Sequence, residues 1–237
     1  MVGLFSKFWT NVANSLLVHD RNILVDALEN RPENVPLITV TNHHSCMDEP
    51  LLWGILDVRH LVNQCLMRWA LAAHNICFWT KPLSHFFALG KSIPVNRGAG
   101  VYQEGVNFAI DRLNEGHWVH LYPEGQVNEH KIDMRYKWGV GRLIAECNVT
   151  PIVIPIYHVG MDDILPNTRP FYPRFGKKVT VLVGKPIPVM DTLERLREKQ
   201  ASDEEKRKTL TDLIEKHLKG LRINAEIYHA RRTTKFS

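Results

Sequence analysis

Cysteine is scarce. Cys46, Cys65, Cys77 and Cys147 are the four in 237 residues, far apart and with no C-x-x-C pair, so neither a zinc knuckle nor a disulfide ladder is written into the chain. Reduced, buried thiols are expected. Uninterrupted apolar runs are equally scarce: Asp57, Arg59, Arg68 and His74 break the most hydrophobic stretch, Leu51 to Trp79. No run therefore reaches the roughly 18 apolar residues that a regular bilayer-spanning helix needs. The start holds no compact apolar block followed by a small-residue cleavage site, so secretion is not expected and Asn148-Val149-Thr150 reads as an unused glycosylation sequon. The Walker loop, G-x-G-x-x-G, G-x-S-x-G and H-E-x-x-H are all missing, which removes most of the weight from the chemistries they serve.

What remains is ordinary globular material, 44% hydrophobic and 23% charged, too balanced for a disordered or collagen-like chain. Thirty Lys and Arg against 25 Asp and Glu give a net charge of +5 and a pI near 9.0, a mild bias toward anionic partners such as phospholipid surfaces. Nucleic acid is not an expected partner. The positive charge is dispersed, and the aromatics sit in apolar stripes instead of alternating with Arg and Lys.

Near the N-terminus Leu4, Phe5, Phe8, Trp9, Val12, Ala13, Leu16 and Leu17 recur as pairs every four residues, one apolar helical stripe. Two readings stay open: a helix lying on the core, or a helix lying in a membrane interface, where Phe and Trp are favoured. A second helical stretch covers Asn22 to Asn30. Pro36 then leads into Leu37-Ile38-Thr39-Val40, a β-branched run entering the polar cluster that begins at Asn42. Further strands are expected at Leu61 to Gln64, Ser92 to Val95, Trp118 to Tyr122, Ile152 to Tyr157 and Val179 to Val183. Helical patterns fall around 51–57, 66–77, 102–115 and 137–147. Such alternation predicts an α/β fold with a largely parallel sheet flanked by helices. From Asp191 onward two capping-type spacings and a helical period (Leu210, Leu213, Ile214, Leu218, Leu221) predict helices, with a loose basic tail from His229 to Lys235. The chain thus divides into an amphipathic, membrane-associating segment over 1–31, an α/β core over 32–190 and a helical segment over 191–237.

The chemistry-bearing residues cluster where the first of these strands ends, in Asn42-His43-His44-Ser45-Cys46-Met47-Asp48-Glu49-Pro50. Sheets of this class place ligands at that edge. On a continuous helix, His43 and Asp48 would project about 140° apart and could not meet. A turn must join them. Asp48-Glu49-Pro50 ahead of an apolar run resembles a helix start, with Pro50 in the first turn, where its missing N–H costs nothing. In such a corner Asp48 can accept a hydrogen bond from one imidazole nitrogen of His43 and leave the other as a base. The plainer alternative makes Asp48 a cap and His43 a turn residue. Ser45 and Cys46 are weak nucleophile candidates, since nothing marks an activating base for either. His44 suggests a metal ligand, but no second cluster completes a site.

Read as N-H-x-S-x-x-D-x-P, Asn42 to Pro50 resembles the first block of the glycerolipid acyltransferase superfamily, whose signature is His, four residues, Asp. The other blocks follow in order: Gly90-Lys91-Ser92-Ile93-Pro94-Val95-Asn96-Arg97, Tyr122-Pro123-Glu124-Gly125 and Ile154-Pro155-Ile156. Leu66-Met67-Arg68-Trp69, Gly125-Gln126-Val127-Asn128 and Tyr157-His158-Val159-Gly160-Met161-Asp162 point within it to a mitochondrial phospholipid–lysophospholipid transacylase branch. The superfamily's third block usually continues Gly-Thr-Arg. Here Gln126-Val127-Asn128 stand in its place, without the usual phosphate arginine, which favours the transacylase branch over CoA-dependent phosphatidate makers.

The resemblance implies a glycerol-3-phosphate acyltransferase-like fold and catalytic roles for His43 and Asp48. It implies that Arg97 and Lys91 grip a lipid phosphate, and that Glu124 and Gly125 bind a glycerol hydroxyl or orient Arg97. No metal or tightly held cofactor is implied. The implied partners are phospholipids and lysophospholipids (cardiolipin, monolysocardiolipin, phosphatidylcholine) and the membrane surface, with interfacial placement on inner or outer mitochondrial membranes facing the intermembrane space. Two other functions stay open: a CoA-dependent lysophospholipid acyltransferase and a non-catalytic lipid-binding protein. His120, His158 and Asp162 stand as outer candidates, since lone strand histidines are usually satisfied core residues.

Overall fold

A computed structural model describes residues 2–169 and 171–234. In chain order the elements are α1 (Val2–Phe8), β1 (Ser15–His19), α2 (Arg21–Glu29), β2 (Leu37–Thr41), α3 (Asp48–Leu52), α4 (Val58–Val62), β3 (Trp69–Ala73), α5 (His74–Cys77), α6 (Lys81–Leu89), β4 (Ser92–Val95), α7 (Glu104–Asn114), β5 (Trp118–Leu121), α8 (Gly139–Glu146), β6 (Ile152–Val159), α9 (Met161–Ile164), β7 (Lys178–Val183), α10 (Val189–Glu198) and α11 (Asp203–Thr234). A π-helical turn, Trp9–Ala13, continues α1, and 3-10 turns occupy Trp53–Ile55 and Gln64–Leu66.

The strands of the described residues form one sheet in the order β1-β7-β6-β2-β5-β3-β4. β6, β2, β5, β3 and β4 run parallel, while β7 meets β6 antiparallel and carries β1 parallel to itself. The fold is the largely parallel, helix-flanked sheet that the sequence predicts. β2 lies at its middle with all five residues buried, as a strand covered on both faces must be. Its alternation sorts the two cores. Ile38 and Val40 join Val106, Leu113, Leu143, Leu193, Leu210 and Leu218 from α7, α8, α10 and α11. Leu37 joins Leu24, Leu51, Leu52, Met161 and Ile164 from α2, α3 and α9 on the other face.

Of the thiols expected to be buried, only Cys147 is, while Cys46 and Cys65 are exposed. Four further expectations need correction. Residues 61–64 are not a strand: Asp57 starts α4, and its N–H reaches His60 Nδ1, three residues on, at 3.3 Å. Residues 66–77 are not one helix but β3 followed by α5, because Ala70 to Ala73 pair with Ser92 to Val95 of β4. The N-terminal stripe stops short of Leu16 and Leu17, which lie on β1 beside β7. Finally, His229 to Thr234 are helical and docked, with His229 Nδ1 3.0 Å from Thr180 Oγ1 and Arg232 donating to Val179 O at 2.6 Å. Lys235 lies outside the described residues.

α1 packs with its polarity reversed relative to a core helix. Its small polar residues face inward: Ser6 Oγ donates to Leu51 O at 2.9 Å, Thr10 Oγ1 to Ser6 O at 2.8 Å, and Lys7 Nζ to Leu56 O at 2.8 Å. Gly54 makes this approach possible, since a Cβ there would lie 2.1 Å from Thr10 Oγ1. Leu4, Phe5, Phe8 and Val12 are left 45%, 47%, 55% and 71% exposed. Among the described residues no helix is long and apolar enough to cross a membrane.

Candidate active site

β2 ends at Thr41, and the chain turns through Asn42–Met47 into α3. The Asn42 side chain extends the β2–β6 ladder beyond its last rung: Nδ2 donates to His158 O at 3.0 Å, and Oδ1 accepts from His158 N–H at 2.9 Å. An amide side chain thus stands in for a peptide group where the backbone has turned away, fixing the start of the corner. Asp48 closes it. Its Oδ2 accepts from His44 N–H at 2.7 Å and Ser45 N–H at 2.8 Å, so the carboxylate satisfies the turn before α3 instead of the helix's own amides. The same oxygen lies 3.0 Å from His43 Nδ1.

Asp48 is fully buried. Burial opposes its charge, but the imidazoles of His158 and His43 overcome this and hold its carboxyl well below the usual range. An ionised Asp48 accepts only, so His43 Nδ1 carries a proton, and in the neutral ring Nε2 is the nitrogen left with the lone pair. Nε2 has no hydrogen-bond partner among the described residues, and the His43 side chain is 16% exposed. Its ring stacks on Tyr122 with centroids 4.1 Å apart. A neutral ring held this way presents one free nitrogen that can accept a proton.

The third-block loop clamps the His43 backbone. Glu124 Oε1 accepts from His43 N–H at 3.1 Å, and Asn128 N–H donates to His43 O at 2.6 Å. Gly125 makes the loop's turn at φ +74°, donating to Tyr122 O at 3.0 Å, where a Cβ would meet Lys137 Cγ at 2.8 Å. Glu124 therefore anchors His43. It does not orient Arg97, with which no ion pair forms among the described residues. Its other oxygen, Oε2, is buried without a partner, and burial raises the carboxyl's pKa. It borders a small cavity of about 20 Å³ lined also by His44, Asn128, Tyr136 and Tyr157.

The two cations of the second block part company. Arg97 follows the C-terminal end of β4, exposed and without a hydrogen bond or ion pair among the described residues. Lys91 precedes β4, roughly 13 Å of strand away at about 3.3 Å per residue. Its Nζ donates to Gln64 O at 2.5 Å and Met67 O at 3.4 Å and sits over the Trp69 ring. Lys91 braces the opposite edge of the sheet, and its expected grip on a lipid phosphate at the site is not supported.

Other residues, unread in the sequence, back the His43 ring. Glu49 accepts from Arg68, from Trp53 Nε1 at 3.2 Å and from Tyr122 Oη at 3.1 Å. Burial would raise the Glu49 carboxyl, but Arg68 beside it holds it below its ordinary value. Burial and Glu49 together push the Tyr122 hydroxyl upward, so it stays a donor beneath the imidazole. Arg68 and Tyr122 lie inside quoted blocks, which was the available signal; their convergence was not. Of the outer candidates, His120 is a core histidine, bonded to Thr39 Oγ1 at 2.8 Å and kept neutral by burial with its pKa down at about 4. Asp162 pairs with Lys131 at 2.7 Å, and His158 touches Asp48. Among the described residues no group of three His, Cys, Asp or Glu is arranged to hold a metal.

The family described as Acyltransferase matches residues 22–159, more than half of the chain and all of the stretch carrying His43, Asp48, Arg97 and Glu124. The chain belongs to the acyltransferase family. Among acyltransferase relatives, it is 44% identical over 231 residues to tafazzin of Drosophila melanogaster, covering 98% of this chain and 61% of the fly protein. It is 42% identical over 192 residues to N-acylphosphatidylethanolamine synthase of Arabidopsis thaliana, covering 78% of this chain and 68% of the plant protein. The fold is that of the crystallised 1-acyl-sn-glycerophosphate acyltransferase PlsC from Thermotoga maritima, at TM-score 0.62 and 18% identity over 93% of this chain and 78% of that one. The chain thus spans about three fifths of the fly relative's length.

Proposed function

We propose that this acyltransferase moves a fatty acyl group from a phospholipid to the free hydroxyl of a lysophospholipid, without CoA. The single observation carrying the reading is His43 Nε2, unpartnered, on a ring whose Nδ1 is held at 3.0 Å by buried Asp48. His43 Nε2 takes the proton from the acceptor hydroxyl as its oxygen attacks the donor ester carbonyl. The tetrahedral adduct then expels the donor's alkoxide, which takes that proton back from Nε2. One ester bond forms, one breaks, and the base is regenerated, a service contributing about 10² to 10⁴ in rate. Asp48 steadies the imidazolium in between. Arg97, unpaired at the strand end, takes a lipid phosphate in its planar fork.

Absence of the usual third-block arginine supports the CoA-independent reading, and likeness to the fly tafazzin supports cardiolipin and its lyso form as substrates on mitochondrial membranes. The outward apolar face of α1 supports docking at the interface, and Ile76, Trp79, Phe86 and Leu89 of the α5–α6 region are exposed apolar side chains as well. Insertion of Phe5 and Phe8 at roughly 1.5 to 3 kcal/mol each on full burial outweighs any contribution from Lys7, whose ammonium is engaged by Leu56 O.

The test is a CoA-free assay with mass-tagged phospholipid and lysophospholipid on wild type, His43→Ala and Asp48→Ala. Transfer by wild type and its collapse in both variants is expected. Transfer that appears only with a thioester donor would reassign the chain to CoA-dependent acylation. Unchanged transfer in His43→Ala would remove His43 as the base, and no transfer by wild type with either donor would leave a lipid-binding protein. Phosphatidylethanolamine included as acceptor separates ester from amide products, the latter being what the plant relative's name describes.

A further inference from the structure

Two imidazoles converge on one carboxylate oxygen. His43 Nδ1 lies 3.0 Å from Asp48 Oδ2, and His158 Nε2, arriving from β6, lies 3.4 Å from the same atom. His158 is fully buried and its Nε2 also stands 3.1 Å from Asn42 O. Both neighbours of that nitrogen are acceptors, so it carries a proton. The paired bonds between Asn42 and the His158 backbone fix the ring's approach.

A buried carboxylate biases an imidazole partner toward its protonated form, since an opposite charge within about 4 to 6 Å favours the protonated ring by about 1 to 3 pH units. The larger that bias, the smaller the fraction of His43 free to act as a base at neutral pH. A second donor on the same oxygen competes for the same charge. We propose that His158 is a positioning residue which, through Asp48, keeps His43 Nε2 unprotonated and available near neutral pH. The inference rests on the base role given to His43 above.

The charges that face His158 are few. Asp48, from α3, favours its protonated form and overcomes the opposing effect of burial, leaving the pKa above the ordinary histidine value. The His44 ring, edge-on at 5.8 Å, is held neutral with its pKa at about 3, mainly by burial and then by His158 itself. Asp162, at the start of α9, is offset by Lys131 at 2.7 Å. Glu124 and His120 sit farther round the same polar cluster, and burial favours the neutral form of each. Asp48 is thus the charge that His158 and His43 share.

The experiment uses the full chain with His158→Leu and His158→Gln and two readouts. One is the titration midpoint of the His43 ring by NMR of labelled histidine, independent of turnover. The other is the pH profile of kcat and KM in the CoA-free assay. In His158→Leu the His43 midpoint and the acid limb of kcat move upward together by about one pH unit, with KM unchanged and the alkaline plateau retained. His158→Gln, whose amide N–H can replace the Nε2 donor, moves both less. A folded His158→Leu with midpoint and limb unmoved overturns the proposal, as does a rate loss at every pH with no movement of the midpoint, the mark of a structural role. Where the leucine variant does not fold, His158→Asn, too short to reach Asp48, is read in the same way. A wild type without acyl transfer would remove the functional reading, while the NMR midpoint would still decide the role of His158.

Discussion

Replacing Asp48 by Asn is the sharpest test of the corner, because it keeps the shape and deletes the charge. The Asn carbonyl can still accept from His44 and Ser45, whose N–H groups lie 2.7 and 2.8 Å from Oδ2. The new amide then occupies the place of Oδ1, which is buried without a partner. Exchanging charge-assisted for neutral hydrogen bonds roughly halves their strength, and the unmatched amide adds a desolvation cost, so stability falls by about 2 kcal/mol. For a chain of this size that lowers Tm by about 4 to 8 °C. Catalysis loses more. The imidazolium forming at His43 no longer faces a carboxylate and its tautomer is no longer enforced, which together lower kcat by about 10² to 10⁴. Asp48 has no exposure and cannot touch substrate, so KM stays put. Thermal unfolding and steady-state kinetics on mass-tagged lipids read both quantities. A folded Asp48→Asn that turns over within tenfold of wild type refutes the reasoning.

Acid should destabilise the protein through the same groups. Asp48 and Glu49 both have folded pKa values depressed below their ordinary ones, so their contribution is fully present above about pH 4.5 and is lost as pH falls below it; the urea midpoint measured from pH 7 to pH 3 should drop through that window. Arg68→Ala strands the Glu49 carboxylate and should cost about 3 to 5 kcal/mol in urea unfolding; a loss under 1 kcal/mol would mean the pair is solvated. Gly125→Ala forces a Cβ onto Lys137 at a positive φ and should cost about 1 to 3 kcal/mol while weakening the clamp on His43, seen as a lower Tm and lower kcat. Phe5→Ser with Phe8→Ser should weaken sedimentation with lipid vesicles by about tenfold or more without lowering Tm, since both side chains already face outward.

The legible parts of the fold were those whose cause is local. β2 showed itself as a β-branched run with a polar stop, and His43 and Asp48 as an imidazole and a carboxylate that only a turn could join. β3 did not, because Trp69-Ala70-Leu71-Ala72-Ala73 has high helix propensity and becomes a strand through its pairing with Ser92 to Val95. β1 hid behind the helical stripe, since Leu16 and Leu17 continue its period while their partners on β7, Val179 and Thr180, lie far downstream. The clamp by Glu124 and Asn128, the Arg68–Glu49 pair and the His158 contact all join separate segments, and spacing carries no trace of them. Lys91 misled for the opposite reason: it stands in a matched block, but the direction of β4 carries it to the far edge.

Arg232 donates to Ser15 O at 2.7 Å, a bond that ties positions 217 residues apart. Ser15 to His19 pair along β7, and their helical cover at that end is completed by the last turns of α11. A ribosome must therefore deliver Arg232, 217 residues beyond Ser15, before this border of the sheet can be sealed. During synthesis, the greasy outer surface of α1 emerges well before the last turns of α11 that complete this edge. A nascent chain of this design has reason to meet lipid, or a chaperone, before it has finished becoming an enzyme.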